Sequence, residues 1–233
     1  MLTCLTLNQK SLKPRLLRDP AVPLTRVTFL CGPNGSGKST LLGAFERFVC
    51  TDEPWTAETV PVRVEGSMHG TVCFFSMEKD NPRMRRDTGS GGMAEVAFVI
   101  NSRYQSHGQS NYGVLEDLLL KSKHALIVLD EPESALDLDG LLWLRETLLK
   151  TDKQVIVATH SPLLLALHAE PGVSVQAFGP DPDYGARILG DYTKLLHGLR
   201  VKSAKKRLPA LGMLSKPAPR PAIKRSTRSS TNN

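Results

Sequence analysis

A chain of 233 residues can bury one sizeable core, and no apolar run in it nears the ~20 residues that a membrane-crossing helix needs. Residues 1–30 lack the basic start, apolar stretch and small-residue cleavage site of a secretory leader, so the expected compartment is the cytoplasm, with no membrane insertion. The formal charge of +7 is uneven: residues 202–233 hold nine Lys or Arg and no acid, whereas residues 1–201 hold 21 basic and 23 acidic side chains. The expectation is one mildly acidic domain over 1–201 and a basic, disordered tail over 202–233.

In chain order, Leu2–Leu7 reads as a first strand, followed by a basic connector. Leu24–Cys31 is an apolar run ending in a Gly-rich loop, and Ser39–Cys50 has helical spacing through Leu41, Leu42, Phe45 and Val49. Val60, Val62 and Val64 alternate with Pro61, Arg63 and Glu65, and Thr71–Met77 is another strand candidate. Residues 79–93 read as a basic loop and Met93–Tyr104 as a short helix. Tyr112–Lys123 places Val114, Leu115, Leu118 and Leu119 on one helical face. Ala125–Leu129 and Val155–Ala158 are unbroken apolar runs suited to the inside of a parallel sheet, with Leu141–Leu149 helical between them. Leu163–His168 begins another helix, Val173–Phe178 and Arg187–Leu189 close the sheet region, and Tyr192–Leu199 is a last helix. The alternation predicts an α/β fold with a mostly parallel sheet flanked by helices and a small antiparallel β part. Cys4, Cys31, Cys50 and Cys73 have no metal-ligand spacing and are expected to be buried free thiols.

Four motifs carry the chemistry. Gly32, Pro33, Asn34, Gly35, Ser36, Gly37, Lys38, Ser39 and Thr40 form a complete phosphate-binding P-loop between a strand and a helix, the context that such a match requires. Its glycines let backbone N–H groups close round phosphate oxygens; Lys38 would bridge the β and γ phosphates, and the Ser39 hydroxyl would complete a magnesium shell. Asp130 follows a buried run and is expected at the carboxyl edge of the sheet, holding Mg2+, with Glu131 polarising an attacking water. His160 ends the next buried run at the same edge, where it can reach a γ-phosphate oxygen. The fourth, Ser106-His107-Gly108-Gln109-Ser110, reads first as a small polar turn capping the next helix, and also as a phosphate donor at a helix N-terminus.

The order of these motifs resembles the ABC-type ATPases, with Walker A, a signature sequence, Walker B and its Glu, a D-loop and a switch His. More narrowly, Gln105–Ser110, Leu129–Asp137 and Ala158–Leu163 are similar to the small stand-alone bacterial ATPases of the AAA-labelled, ABC-type group, over about residues 22–200. That resemblance implies a P-loop NTPase fold, ATP and Mg2+ as ligands, and two copies meeting head to tail. Ser106, Gly108 and Gln109 of one copy would then touch the γ-phosphate bound by Lys38 of the other, and Asp137 would couple the two sites.

Two family features are missing. No Gln lies between Walker A and the signature at the usual magnesium position; Glu78 is the candidate substitute, the alternative being an ordinary loop acid. No aromatic residue precedes Phe29 to stack on adenine, a role open to Arg15 or Arg18, the alternative being that these belong to an ordinary exposed basic connector. The favoured function is a soluble ATPase that dimerises on ATP and switches an unidentified partner protein, as in DNA-repair or phage-defence systems. The alternatives are the nucleotide-binding subunit of a membrane transporter, and a nucleic-acid-binding module acting through the basic tail with ATP secondary.

Overall fold

Strands form where branched and apolar residues run together. Val27–Cys31 (β3) and Gln154–Ala158 (β7) are buried at every position, and Leu126–Asp130 (β6) at every position but its last. A strand buried on both faces needs cover from two layers, and that requirement sets the architecture. The structure is a computed structural model and describes residues 1–8, 21–76 and 107–205.

β6, β7 and β3 are joined by Val72–Ser76 (β5) and Val173–Ala177 (β8) in a five-stranded sheet of order β5-β6-β7-β3-β8, with every neighbouring pair parallel. A second sheet, of order β2-β1-β4, is antiparallel and comprises Leu2–Leu7 (β1), Ala21–Pro23 (β2) and Val62–Gly66 (β4). The fold is therefore α/β, with a parallel five-stranded sheet flanked by helices and a small antiparallel sheet.

Side chains alternate across the main sheet, as a two-residue period demands. Leu30, Val128, Ile156 and Ala158 face a core made with Leu2, Leu5 and Val62 of the small sheet and with Leu41 and Phe45 of the helix Lys38–Cys50 (α1). Phe29, Ile127, Leu129, Val155 and Val157 face the opposite core. There they meet Leu115 of His107–Glu116 (α2), Leu144 and Leu148 of Leu138–Lys150 (α3), and Leu164 and Leu165 of Pro162–Leu165 (α4). Each such fully buried Val, Leu or Ile contributes roughly 1.5–3 kcal/mol.

Gln154 fastens the two sheets together. Its side-chain amide donates to the Leu2 carbonyl at 2.8 Å and to the Thr25 carbonyl at 3.1 Å, and its oxygen accepts the Leu2 N–H at 2.9 Å.

Two expectations are corrected. Arg187–Leu189 is not part of the sheet but lies in the helix Tyr184–Lys205 (α5). Three residues are too few to outweigh the helical spacing through Tyr184, Ile188, Tyr192 and Leu196, and Tyr184 and Leu189 pack on the core. α5 also runs past Leu199 and enters the segment read as tail. Its residues up to Tyr192 belong to the body of the chain, and those from Thr193 onward to a second unit. The expected helix over Met93–Tyr104 and basic loop over 79–93 lie outside the described residues, as does the chain beyond Lys205.

The cysteines differ from one another. All four are free; only Cys31 is buried, Cys4 and Cys73 are half-buried and Cys50 is exposed at the end of α1. Burial pushes the Cys31 thiol up to about 11, against a smaller opposing pull from Lys38. Cys50 should therefore react within minutes with a thiol reagent at pH 8, with Cys31 protected until the chain unfolds; a Cys31 that reacts as fast as Cys50 in the folded protein would contradict this packing. The raised value also has a sign for stability. Between about pH 9 and 11 the thiol ionises in the unfolded chain before it does in the folded one, so the fold loses stability there as pH rises.

Candidate functional site

Parallel register brings the motifs to one edge. Leu30 of β3 and Asp130 of β6 both pair with Ala158 of β7, so the carboxyl ends of three neighbouring strands are level. The P-loop leaves β3, Glu131 follows β6, and Thr159 and His160 follow β7. The crevice beyond the carboxyl ends of an open parallel sheet is where α/β proteins take their ligands.

The loop is shaped by its glycines. Gly37 sits at φ 101° immediately before α1, and no side chain caps the helix, so its N-terminal N–H groups face the loop. Gly32 is needed for space: a Cβ there would stand 2.4 Å from the Phe178 carbonyl oxygen and 2.7 Å from the Ser36 hydroxyl. Gly32→Ala should thus push the loop away from Phe178 and destabilise the fold by about 1–3 kcal/mol in urea unfolding; an unchanged midpoint would show that the loop relaxes freely.

Lys38 is buried, at 5% exposure, and its Nζ donates to the carbonyls of Gly32 at 3.0 Å and Pro33 at 3.3 Å. Burial holds its ammonium below the ordinary lysine range, while the charges of Glu131, Asp130, Cys31 and Glu133 pull the other way. Three carboxylates thus face one lysine. The Ser39 hydroxyl donates to Asp130 Oδ1 at 3.3 Å, joining the first turn of α1 to the end of β6.

Glu131 has φ 51° and ψ 51°, the one left-handed non-glycine among the described residues. Such a backbone costs about 1–3 kcal/mol and persists only when its surroundings hold it. Here the Glu131 N–H donates to the Ala158 carbonyl at 2.9 Å, and Ser134 Oγ donates to Glu131 Oε2 at 3.3 Å. Glu131 Oε1 stands 3.5 Å from His160 Nε2, with both side chains partly open to solvent.

The other candidates are less fully described. Gly108 and Gln109 lie in the first turn of α2, whose backbone alone is described there, and Ser106 lies outside the described residues. Glu78, Arg15 and Arg18 are outside them too; β5 ends at Ser76, level with Asp130. Asp137 has a role within its own chain, as Oδ1 accepts the Gly140 N–H at 2.8 Å and caps α3. Among the described residues no group of three or more His, Cys, Asp and Glu could hold a metal, and no helix is long and apolar enough to cross a membrane.

Glu133 and Thr159 lie within the motif strings, but the sequence assigns neither a role of its own. Glu133 Oε1 accepts the Thr159 hydroxyl at 2.6 Å and the His160 backbone N–H at 2.7 Å. The only signal was a second acid two places after Glu131, which by itself reads as part of the motif string.

No family model matches the chain. Elongation factor 3 of Mycosarcoma maydis is 34% identical over 149 residues, covering 58% of this chain and 14% of that protein. The [NU+] prion formation protein 1 of Saccharomyces cerevisiae is 29% identical over 142 residues, covering 56% of this chain and 12% of that one. The chain thus spans about one-seventh or less of the length of these curated relatives. Among solved structures it is similar to a dimeric ATP-binding cassette in a post-hydrolysis state bound to ADP and phosphate, with a TM-score of 0.44 and 16% identity over 77% of this chain and 94% of that one.

Proposed function

We propose that this chain binds ATP with Mg2+ and hydrolyses it, as a soluble, cytoplasmic ABC-type ATPase whose copies meet head to tail around the nucleotide. The observation that carries this reading is the meeting, at one sheet edge, of a P-loop lysine, a Ser39–Asp130 pair and a Glu131–His160 pair. A P-loop alone would serve any nucleotide-binding protein. A carboxylate and an imidazole held together beside it add the means to orient a water against the terminal phosphate.

In this reading Lys38 exchanges the carbonyls of Gly32 and Pro33 for β- and γ-phosphate oxygens, and the N–H groups of the P-loop and of the first turn of α1 surround the phosphates. Ser39 and Asp130 hold the metal. Their hydroxyl and carboxylate are the hard oxygens that would hold Mg2+. The chemistry that Mg2+ would supply there is neutralisation of charge on the phosphate oxygens. Glu131 accepts a hydrogen bond from the attacking water, and His160 donates to a γ-phosphate oxygen. Ser106, Gly108 and Gln109 of a second copy close over the γ-phosphate, Asp137 couples the two sites, and Glu78 serves the metal shell. Residues 1–201 form the ATPase domain, and the basic segment 202–233 supplies contacts to nucleic acid or to the partner protein that the cycle switches.

Phosphate release by the purified chain, with Mg2+ and with excess chelator, tests the reading. It predicts release that stops on chelation, together with a rise in melting temperature on adding ATP and Mg2+. No ATP-dependent rise and no release would overturn it, and release indifferent to chelation would remove the Ser39–Asp130 site from it.

A further inference from the structure

Two carboxylates stand on the short turn Pro132–Ala135 and its entry, and only the first, Glu131, has a part in the chemistry just described. Glu133 points instead to the segment that leaves β7. Its Oε1 takes two short hydrogen bonds, from the Thr159 hydroxyl at 2.6 Å and the His160 N–H at 2.7 Å. The Thr159 oxygen in turn accepts the Ser161 N–H at 3.0 Å, and Thr159 is fully buried. Glu133 Oε2 is also buried and has no hydrogen-bond partner among the described residues. A carboxylate is costly to bury half-satisfied, so its retention calls for a compensating role.

The geometry supplies one. The turn is fastened to the exit of β7 at two points: the Glu131 N–H on the Ala158 carbonyl, and Glu133 on Thr159 and His160. Between these ties Glu131 is held in its left-handed conformation, with its carboxylate 3.5 Å from the His160 imidazole. We propose that Glu133 is a positioning residue, which locks the Thr159–His160 backbone to the turn bearing Glu131 and so sets the imidazole against that carboxylate. The proposal rests on the ATPase reading for its kinetic consequence but not for its structural one. Glu133 acts as an acceptor, not through its charge, so an amide oxygen in the same place does the same work.

The experiment compares Glu133→Gln, Glu133→Ala, Thr159→Val, His160→Ala and the double variant Glu133→Ala/His160→Ala in the full chain. Glu133→Ala should lower kcat by about 10- to 100-fold, as loss of a supporting hydrogen-bond partner does elsewhere, with KM for ATP nearly unchanged. Glu133→Gln should retain most of the rate, and the double variant should be no slower than His160→Ala alone. Should Glu133→Ala fail to fold, Thr159→Val carries the test, with a smaller fall that likewise vanishes in the His160→Ala background. A Gln variant as slow as the Ala variant would overturn the proposal, as would losses that add in the double variant. The failure of the ATPase reading is separable. If the wild type releases no phosphate, the ring-proton NMR signals of His160, identified by their absence in His160→Ala, still decide. They should move in Thr159→Val and stay in place in Glu133→Gln, and signals unmoved in Thr159→Val would overturn the lock.

Discussion

Lys38→Ala should slow ATP hydrolysis by roughly 100- to 1,000-fold, the effect of removing one preorganised cation or donor from developing phosphate charge. Nucleotide affinity should fall as well, because the lysine engages the phosphates before and during reaction. The fold should tolerate the change. Lys38 is buried with its ammonium disfavoured by that burial, and removing it relieves a cost while freeing the Gly32 and Pro33 carbonyls. These opposed terms leave a net change of about 1 kcal/mol or less in either direction. Phosphate release, ATP binding and urea unfolding on the same preparation separate the two effects. A variant that unfolds more easily by several kcal/mol would mean that Lys38 is a structural cation for Asp130, Glu131 and Glu133.

Glu131→Gln should give the second large effect and a different signature. It removes the acceptor for the attacking water at nearly constant shape, so hydrolysis should drop by roughly 100- to 10,000-fold while ATP binding persists. If the ATP-bound state is the dimeric one, the variant should accumulate as a dimer with ATP and Mg2+, visible as a doubled mass by light scattering. The strained backbone at Glu131 remains in this variant, so its stability should match the wild type. A variant that binds ATP and hydrolyses it at the wild-type rate would hand the role of Glu131 to another group.

Much of this edge was legible because its determinants are local. Strand, Gly-rich loop and helix from Val27 to Cys50 follow each other in sequence, and burial on both faces marks β6 and β7 wherever they sit. Parallel register then does the rest, since Asp130 and His160 come level with the P-loop once their strands pair with each other and with β3. What escaped depends on which distant segments meet. Nothing near Gln154 announces that its amide will hold Leu2, 152 residues away, and nothing near Glu133 announces Thr159. A lone acid or amide in a motif string has many uses, and only the partner shows which. Arg187–Leu189 misleads for another reason: the β preference of a triplet is outweighed by the helical spacing that extends on both sides of it.

If this edge hydrolyses ATP and a second copy completes it, activity depends on how many copies are paired. The rate of phosphate release per chain, measured against protein concentration over a hundredfold range, tests both parts at once. The specific rate should rise with concentration and then level off as copies pair. A constant specific rate from a monomer would remove Ser106, Gly108 and Gln109 from the mechanism, and no release at any concentration would mean that this edge is not an ATPase site.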